Sequence, residues 1–130
     1  MRPTRAFSIT VLLLAGAAPA MAAPLSVALL PSVGNAKEDV RRDLDGSLRQ
    51  ALQEEDRIDL LSPVETRQHV MSLAELGMVC LPEDIGCLVK LGIDANVSVL
   101  LVPSAQKTAG AELDVEIVVI DVAASTRTRT

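Results

Sequence analysis

The chain has 130 residues, with 12 basic and 17 acidic side chains and a net charge of −5. Such an acidic chain repels phosphate backbones and anionic lipid, so nucleic acid and membrane surfaces are poor partners. Its single Phe, Tyr or Trp residue is Phe7, which excludes the base-stacking, sugar-stacking and cation-caging modes that need aromatic platforms.

The first residues read as an address. Met1–Arg5 carries Arg2 and Arg5, Ala6–Gly16 is apolar, and Ala20-Met21-Ala22 has small residues either side of Met21. Basic, apolar and small-x-small segments in that order form a secretory signal peptide. The apolar run Ala6–Ala18, about 13 residues, is too short for a spanning helix, which needs about 20. Residues 1–22 are therefore expected to be removed, cleavage falling at Ala22/Ala23 so that the product starts at Ala23 or Pro24. Leu14-Ala15-Gly16 precedes Ala17 rather than a cysteine, so neither a lipid anchor nor a stable membrane anchor is expected. Loss of Arg2 and Arg5 leaves ten basic against seventeen acidic side chains. The remaining 24–130 suits one small domain, in a periplasmic or secreted location where disulfides persist.

Leu25–Pro31 is an apolar run with no polar face, which predicts an inner strand. Asn35-Ala36-Lys37-Glu38 has the form of a capping box with Asn35 as N-cap. Val40, Leu44, Leu48, Ala51 and Leu52 recur at helical spacing, so Lys37–Glu54 is predicted as an amphipathic helix, its charged side chains forming a solvated face. Arg57–Leu61 reads as a short second strand. Ser62-Pro63-Val64-Glu65 predicts a second helix, with Ser at the N-cap and Pro at its first position, ending at Gly77. Pro82-Glu83-Asp84 opens a third helix that Gly92 is expected to stop. Asn96–Val102 and Glu112–Val122 read as strands, joined by a Gly-containing turn at Gln106–Ala111. The alternating Thr126–Thr130 tail could start a fifth, edge strand, cut short. The order β-α-β-α-α-β-β implies a parallel first pair and an antiparallel last pair. The predicted fold is α/β (α+β): one mixed sheet of four to five strands with about three helices.

Cys80 and Cys87 are the only cysteines. An even pair in an oxidising compartment reads as a disulfide; free thiols and a redox pair are the alternatives, though catalytic pairs usually have two intervening residues. Seven residues of unbroken helix would separate the Cα atoms by about 10 Å, and a disulfide spans at most about 7 Å. Cys80 is therefore expected in the loop before the third helix. Two cysteines and one histidine without close spacing do not supply a zinc site, and no metal or cofactor is expected.

His69 is the only histidine and is expected on a helix surface. Asp43 with Asp45 and Glu54-Glu55-Asp56 are acidic clusters, expected on a helix exterior and its end, where nothing perturbs a carboxylate for acid–base work. No glycine-rich phosphate loop and no Gly-x-Ser-x-Gly elbow occurs. No catalytic residue is assigned, and an enzyme is not expected.

The Leu25–Pro31 strand, the long helix after it, Cys80 and Cys87, the Leu91-Gly92-Ile93-Asp94-Ala95 segment and the Val97–Val102 and Glu112–Asp121 strands together resemble the amino-terminal domain of TolB and the CsgG-like bacterial envelope proteins. Ile93 and the Ala123-Ala124-Ser125 end depart from that pattern. The resemblance implies a non-catalytic α/β module of the cell envelope that docks to an envelope protein or self-associates. A sheet edge, at Glu112–Val122 or the Thr126–Thr130 tail, is expected to accept a partner strand. The alternative is a small periplasmic ligand-binding protein, for an apolar or cationic ligand.

Overall fold

The computed structural model describes residues 24–130 apart from Ala111. The predicted signal peptide at 1–22 and the Ala22/Ala23 cleavage position lie outside the described residues. The elements run β1 (Leu25–Leu29), α1 (Glu38–Gln53), β2 (Ile58–Leu60), α2 (Pro63–Glu75), α3 (Ile85–Ala95), β3 (Val99–Lys107), β4 (Leu113–Asp121) and β5 (Thr126–Arg129). They form one five-stranded sheet in the order β2-β1-β3-β4-β5. β1 pairs in parallel with β2 and β3, and β3–β4 and β4–β5 are antiparallel. The predicted α+β class and the mixed sheet with three helices are what the chain adopts.

Alternation along the strands sorts the core onto two faces. Ala28, Leu30, Leu100, Val102, Val118, Ile120 and Val122 pack with Leu73 of α2 and with Leu88, Leu91 and Ala95 of α3 in one buried cluster. Val27 and Leu29, the intervening residues of β1, are buried on the opposite face. Among the described residues, α1 is the helix that lies over that second face. The right-handed rule for parallel crossovers accounts for the division: β1 to β2 moves one way along the sheet and β2 to β3 the other, so their helices lie on opposite sides.

Several local expectations change. Asn35 does not cap α1; Lys37 is the N-cap residue and makes no side-chain cap bond. Asn35 instead faces β3, its Oδ1 accepting the Lys107 N–H (2.6 Å) while its own N–H donates to Gln106 Oε1 (3.2 Å). A competing partner on the neighbouring strand thus takes the side chain from the helix. At α2 the Ser62 hydroxyl accepts the Glu65 N–H (3.1 Å), with Pro63 in the first turn.

Helix α3 starts at Ile85 rather than Pro82, because the Asp84 carboxylate caps it by accepting the Cys87 N–H (3.1 Å). Gly92 does not stop it. The stop is Asn96, in the left-handed conformation at φ 57°, which asparagine tolerates better than most residues. Gly92 lies inside α3 because a Cβ there would collide with a methyl of buried Val122; its small size lets the helix approach the sheet. The Leu91–Ala95 segment is accordingly the last turn of a helix, not a loop leading into a strand. β3 also runs five residues past its expected end, through buried Pro103 to Lys107. Pro103 needs no ladder N–H there, and its carbonyl accepts the Val33 N–H (3.0 Å) from the β1–α1 loop.

Candidate protein-interaction surface

Three regions of the surface carry chemistry beyond a solvated exterior. The first is the α1 side of the sheet. On β4 the residues facing that side are Leu113, Val115, Ile117 and Val119, which register with Lys107, Ala105, Pro103 and Leu101 of β3. Leu113 is 46% exposed and Val115 41%, while Ile117, Val119, Val99 and Leu101 are half-buried. The apolar stripe of α1 (Val40, Leu44, Leu48 and Leu52) is likewise only half-buried, and α1 has no fully buried residue. Among the described residues, one helix covers the β2–β1–β3 part of this face and none covers the β4 row.

The expected partner edge shifts accordingly. β4 is not an edge along its whole length, since β5 pairs with Val118–Asp121 and Thr130 exchanges both backbone bonds with Ile117. Among the described residues, the open edges are the outer side of β5, the three-residue β2, and the Leu113–Glu116 half of β4 beyond β5. The β5 pairing is tied across the strands by Arg129 on Glu116 (2.7 Å).

The second region is the α2–α3 loop. Cys80, in the loop, is bonded to Cys87, in the first turn of α3, with Cα atoms 5.3 Å apart. Met78 and Cys80 pack against the core, while Leu76 and Val79 between and beside them are 74% and 73% exposed. The bridge holds an apolar loop out to solvent over a short closed ring. Replacing both cysteines by serine will lower the unfolding free energy by about 2–3 kcal/mol, the chain-entropy value for so short a loop. Urea denaturation of the wild type with and without reductant checks it: reductant should shift the wild type to the midpoint of the double variant and leave that variant unmoved.

The third region was not anticipated. Arg41, Asp45 and Arg49 recur every four residues on α1, a spacing that places them on one side of the helix. They are not a solvated face. Asp45 accepts the Ser32 N–H with both oxygens (3.1 and 3.2 Å). Arg41 donates to the Ala36 and Ser32 carbonyls (3.1 and 3.3 Å), and Arg49 to those of Leu61 and Leu29 (3.1 and 3.5 Å). This row fastens α1 to the carboxyl ends of β1 and β2. Burial lowers the pKa of the Arg49 guanidinium from its ordinary value, and nearby Asp45 opposes that shift. The spacing itself was the available signal, a second four-residue period beside the apolar one.

His69 is half-buried on α2 rather than exposed. Among the described residues no group of three or more His, Cys, Asp and Glu side chains is placed to hold a metal ion. None of the described helices is long and apolar enough to cross a membrane.

No protein-family model matches the chain, and no curated protein matches its sequence. Solved structures do. The C-terminal domain of LpoB from Salmonella enterica superposes with a TM-score of 0.60 at 13% identity, over 86% of this chain and 84% of that one. The C-terminal domain of LpoB from Escherichia coli gives 0.56 at 14% identity, over 94% and 90%. A lipoprotein from Neisseria meningitidis gives 0.57 at 11% identity, over 82% and 78%. The fold resembles that of the LpoB C-terminal domain. This corrects the expected likeness to TolB amino-terminal and CsgG-like domains. The residue pattern that suggested them included the Leu91–Ala95 segment as a turn, and that segment is helical. The remaining signal was element order, which folds of separate families share.

Proposed function

We propose that the chain is an exported, non-catalytic module of the bacterial cell envelope that binds a protein partner on the α1 side of its sheet. Residues 1–22 serve as its leader in this reading, and the Cys80–Cys87 bridge suits an oxidising compartment. The uncovered row Leu113, Val115, Ile117 and Val119 carries the proposal. A row of apolar side chains on alternate positions of one strand face is costly to leave in water and is typical of a face that a partner covers. Beyond the end of β5 the Leu113–Glu116 edge of β4 is itself unpaired among the described residues, so an extended segment can pair there in line with β5 and set its side chains against Leu113 and Val115. Likeness of fold to the C-terminal domain of LpoB and to a neisserial lipoprotein is consistent with an envelope role.

Photo-crosslinking in cells tests this, with a photoreactive residue at Thr128 on β5 and, as a control, at Asp94 on α3. A discrete adduct from Thr128, absent from Asp94 and abolished by adding Leu113→Glu and Val115→Glu, is the expected result. These two positions are exposed, so the charged variants should keep the wild-type melting temperature. Equal labelling from both positions, or an adduct indifferent to the two glutamates, overturns the proposal.

A further inference from the structure

The carboxyl end of β1 is a topological switch point. The chain leaves β1 for α1 on one face of the sheet, and leaves the neighbouring β2 for α2 on the other. Diverging connections open a crevice above the strand ends, and open α/β sheets bind ligands in such crevices. A groove open to solvent is present there, with a volume of about 410 Å³, floored by Leu29, Leu30 and Pro31 and walled by α1 and α2.

Its charge runs against that of the chain. Three arginines, Arg42, Arg49 and Arg67, line it against one aspartate, Asp45, in a protein of net charge −5. Two of these four side chains are already committed. Asp45 spends both oxygens on the Ser32 N–H, and Arg49 donates to the Leu61 and Leu29 carbonyls. Arg42 pairs with Glu38 at 3.0 Å, but both are highly exposed, and such pairs exchange readily. Arg67 makes no hydrogen bond or ion pair among the described residues. Arg67 on the α2 wall can thus turn to a ligand directly, and Arg42 on the α1 wall can do so by exchanging Glu38 for it.

Gly46 supplies a separate observation. It lies in the middle of α1, where glycine is disfavoured, and a Cβ there would meet nothing within 4 Å. Helix packing therefore gives no reason for it. It lines the same crevice and lowers the α1 wall.

We propose that this crevice binds a small ligand carrying a carboxylate or phosphate on an apolar body. Arg42 and Arg67 take the anion, for which the planar guanidinium fork is suited, and the Leu29–Pro31 floor takes the apolar part. An anionic head group is the new element of this site; the ligand expected from sequence is apolar or cationic.

Isothermal titration calorimetry of the purified chain with octanoate, acetate, inorganic phosphate and octylammonium tests the site. Octanoate should bind saturably at one per chain and at least about tenfold more tightly than acetate, while octylammonium should not bind. Arg42→Gln with Arg67→Gln should weaken octanoate by about tenfold or more for each guanidinium removed, at an unchanged melting temperature because both side chains are exposed. Gly46→Leu should block binding by filling the gap in the wall. Phosphate binding more tightly than acetate identifies a phosphate head, and the reverse a carboxylate; either order supports the site. No saturable binding of any anion, or binding unmoved by the arginine pair and by Gly46→Leu, overturns it. Leu113→Glu and Val115→Glu should leave octanoate binding intact, so failure here is separable from failure of the partner-binding reading.

Discussion

Replacing Gly34 with alanine will lower the unfolding free energy by about 3 kcal/mol, a large part of the stability of a small domain. Two costs coincide. Gly34 has φ 116°, a conformation that a side chain strains by about 1–3 kcal/mol. Its Cβ would also drive into the backbone carbonyl of Ala105, which is fully buried and cannot yield as a side-chain tip would. The loop must move, and with it the bonds that lace it to β3: Val33 N–H to Pro103, Ala105 N–H to Val33 and Ala36 N–H to Ala105. Gly46→Ala is the matching control. No atom crowds its Cβ, so it should raise stability by about 0.5–1 kcal/mol through helix propensity. Residues 24–130 contain no Trp or Tyr, so urea unfolding followed by far-UV circular dichroism is the suitable measurement. Equal effects at the two glycines would refute the steric account.

Much of this fold was readable because its signals are local. The apolar runs of β1 and β3, the helical period of α1 and the Ser62-Pro63-Val64-Glu65 cap each announce an element within a few residues, and the structure has those elements. What failed depended on contacts distant in sequence. Asn35 and Lys107 are 72 positions apart, so nothing local shows that β3 takes the side chain that seemed to cap α1. Gly92 reads as a helix stop until Val122 is packed against it. The site was less legible still. The Arg41, Asp45 and Arg49 row looks like any charged helix face until β1 and β2 end beside it. The apolar row of β4 becomes an open face only because α1 sits over β1 rather than β4, and strand order decides that.

Ile120→Ala and Val119→Ala will differ by several kcal/mol although the residues are adjacent in β4. Ile120 faces α2 and α3 and is fully buried in their cluster with Leu100 and Val118. Truncating it removes apolar contact and leaves a cavity that the close-packed helices cannot fill, for a loss of about 3–4 kcal/mol. Val119 points to the α1 side and is only half-buried. Solvent fills the space its methyls vacate, so the loss should stay near 1 kcal/mol or below. Equilibrium urea unfolding of both variants measures the difference directly. A loss at Val119 as large as at Ile120 would mean that α1 covers β4 in solution, and the proposed binding face would not exist. The expected asymmetry has a functional meaning. One face of the sheet holds the domain together, so the other can keep an apolar row half in water without endangering the fold. Burying that row under a partner should then raise the cost of Val119→Ala in the complex above its cost in the free protein.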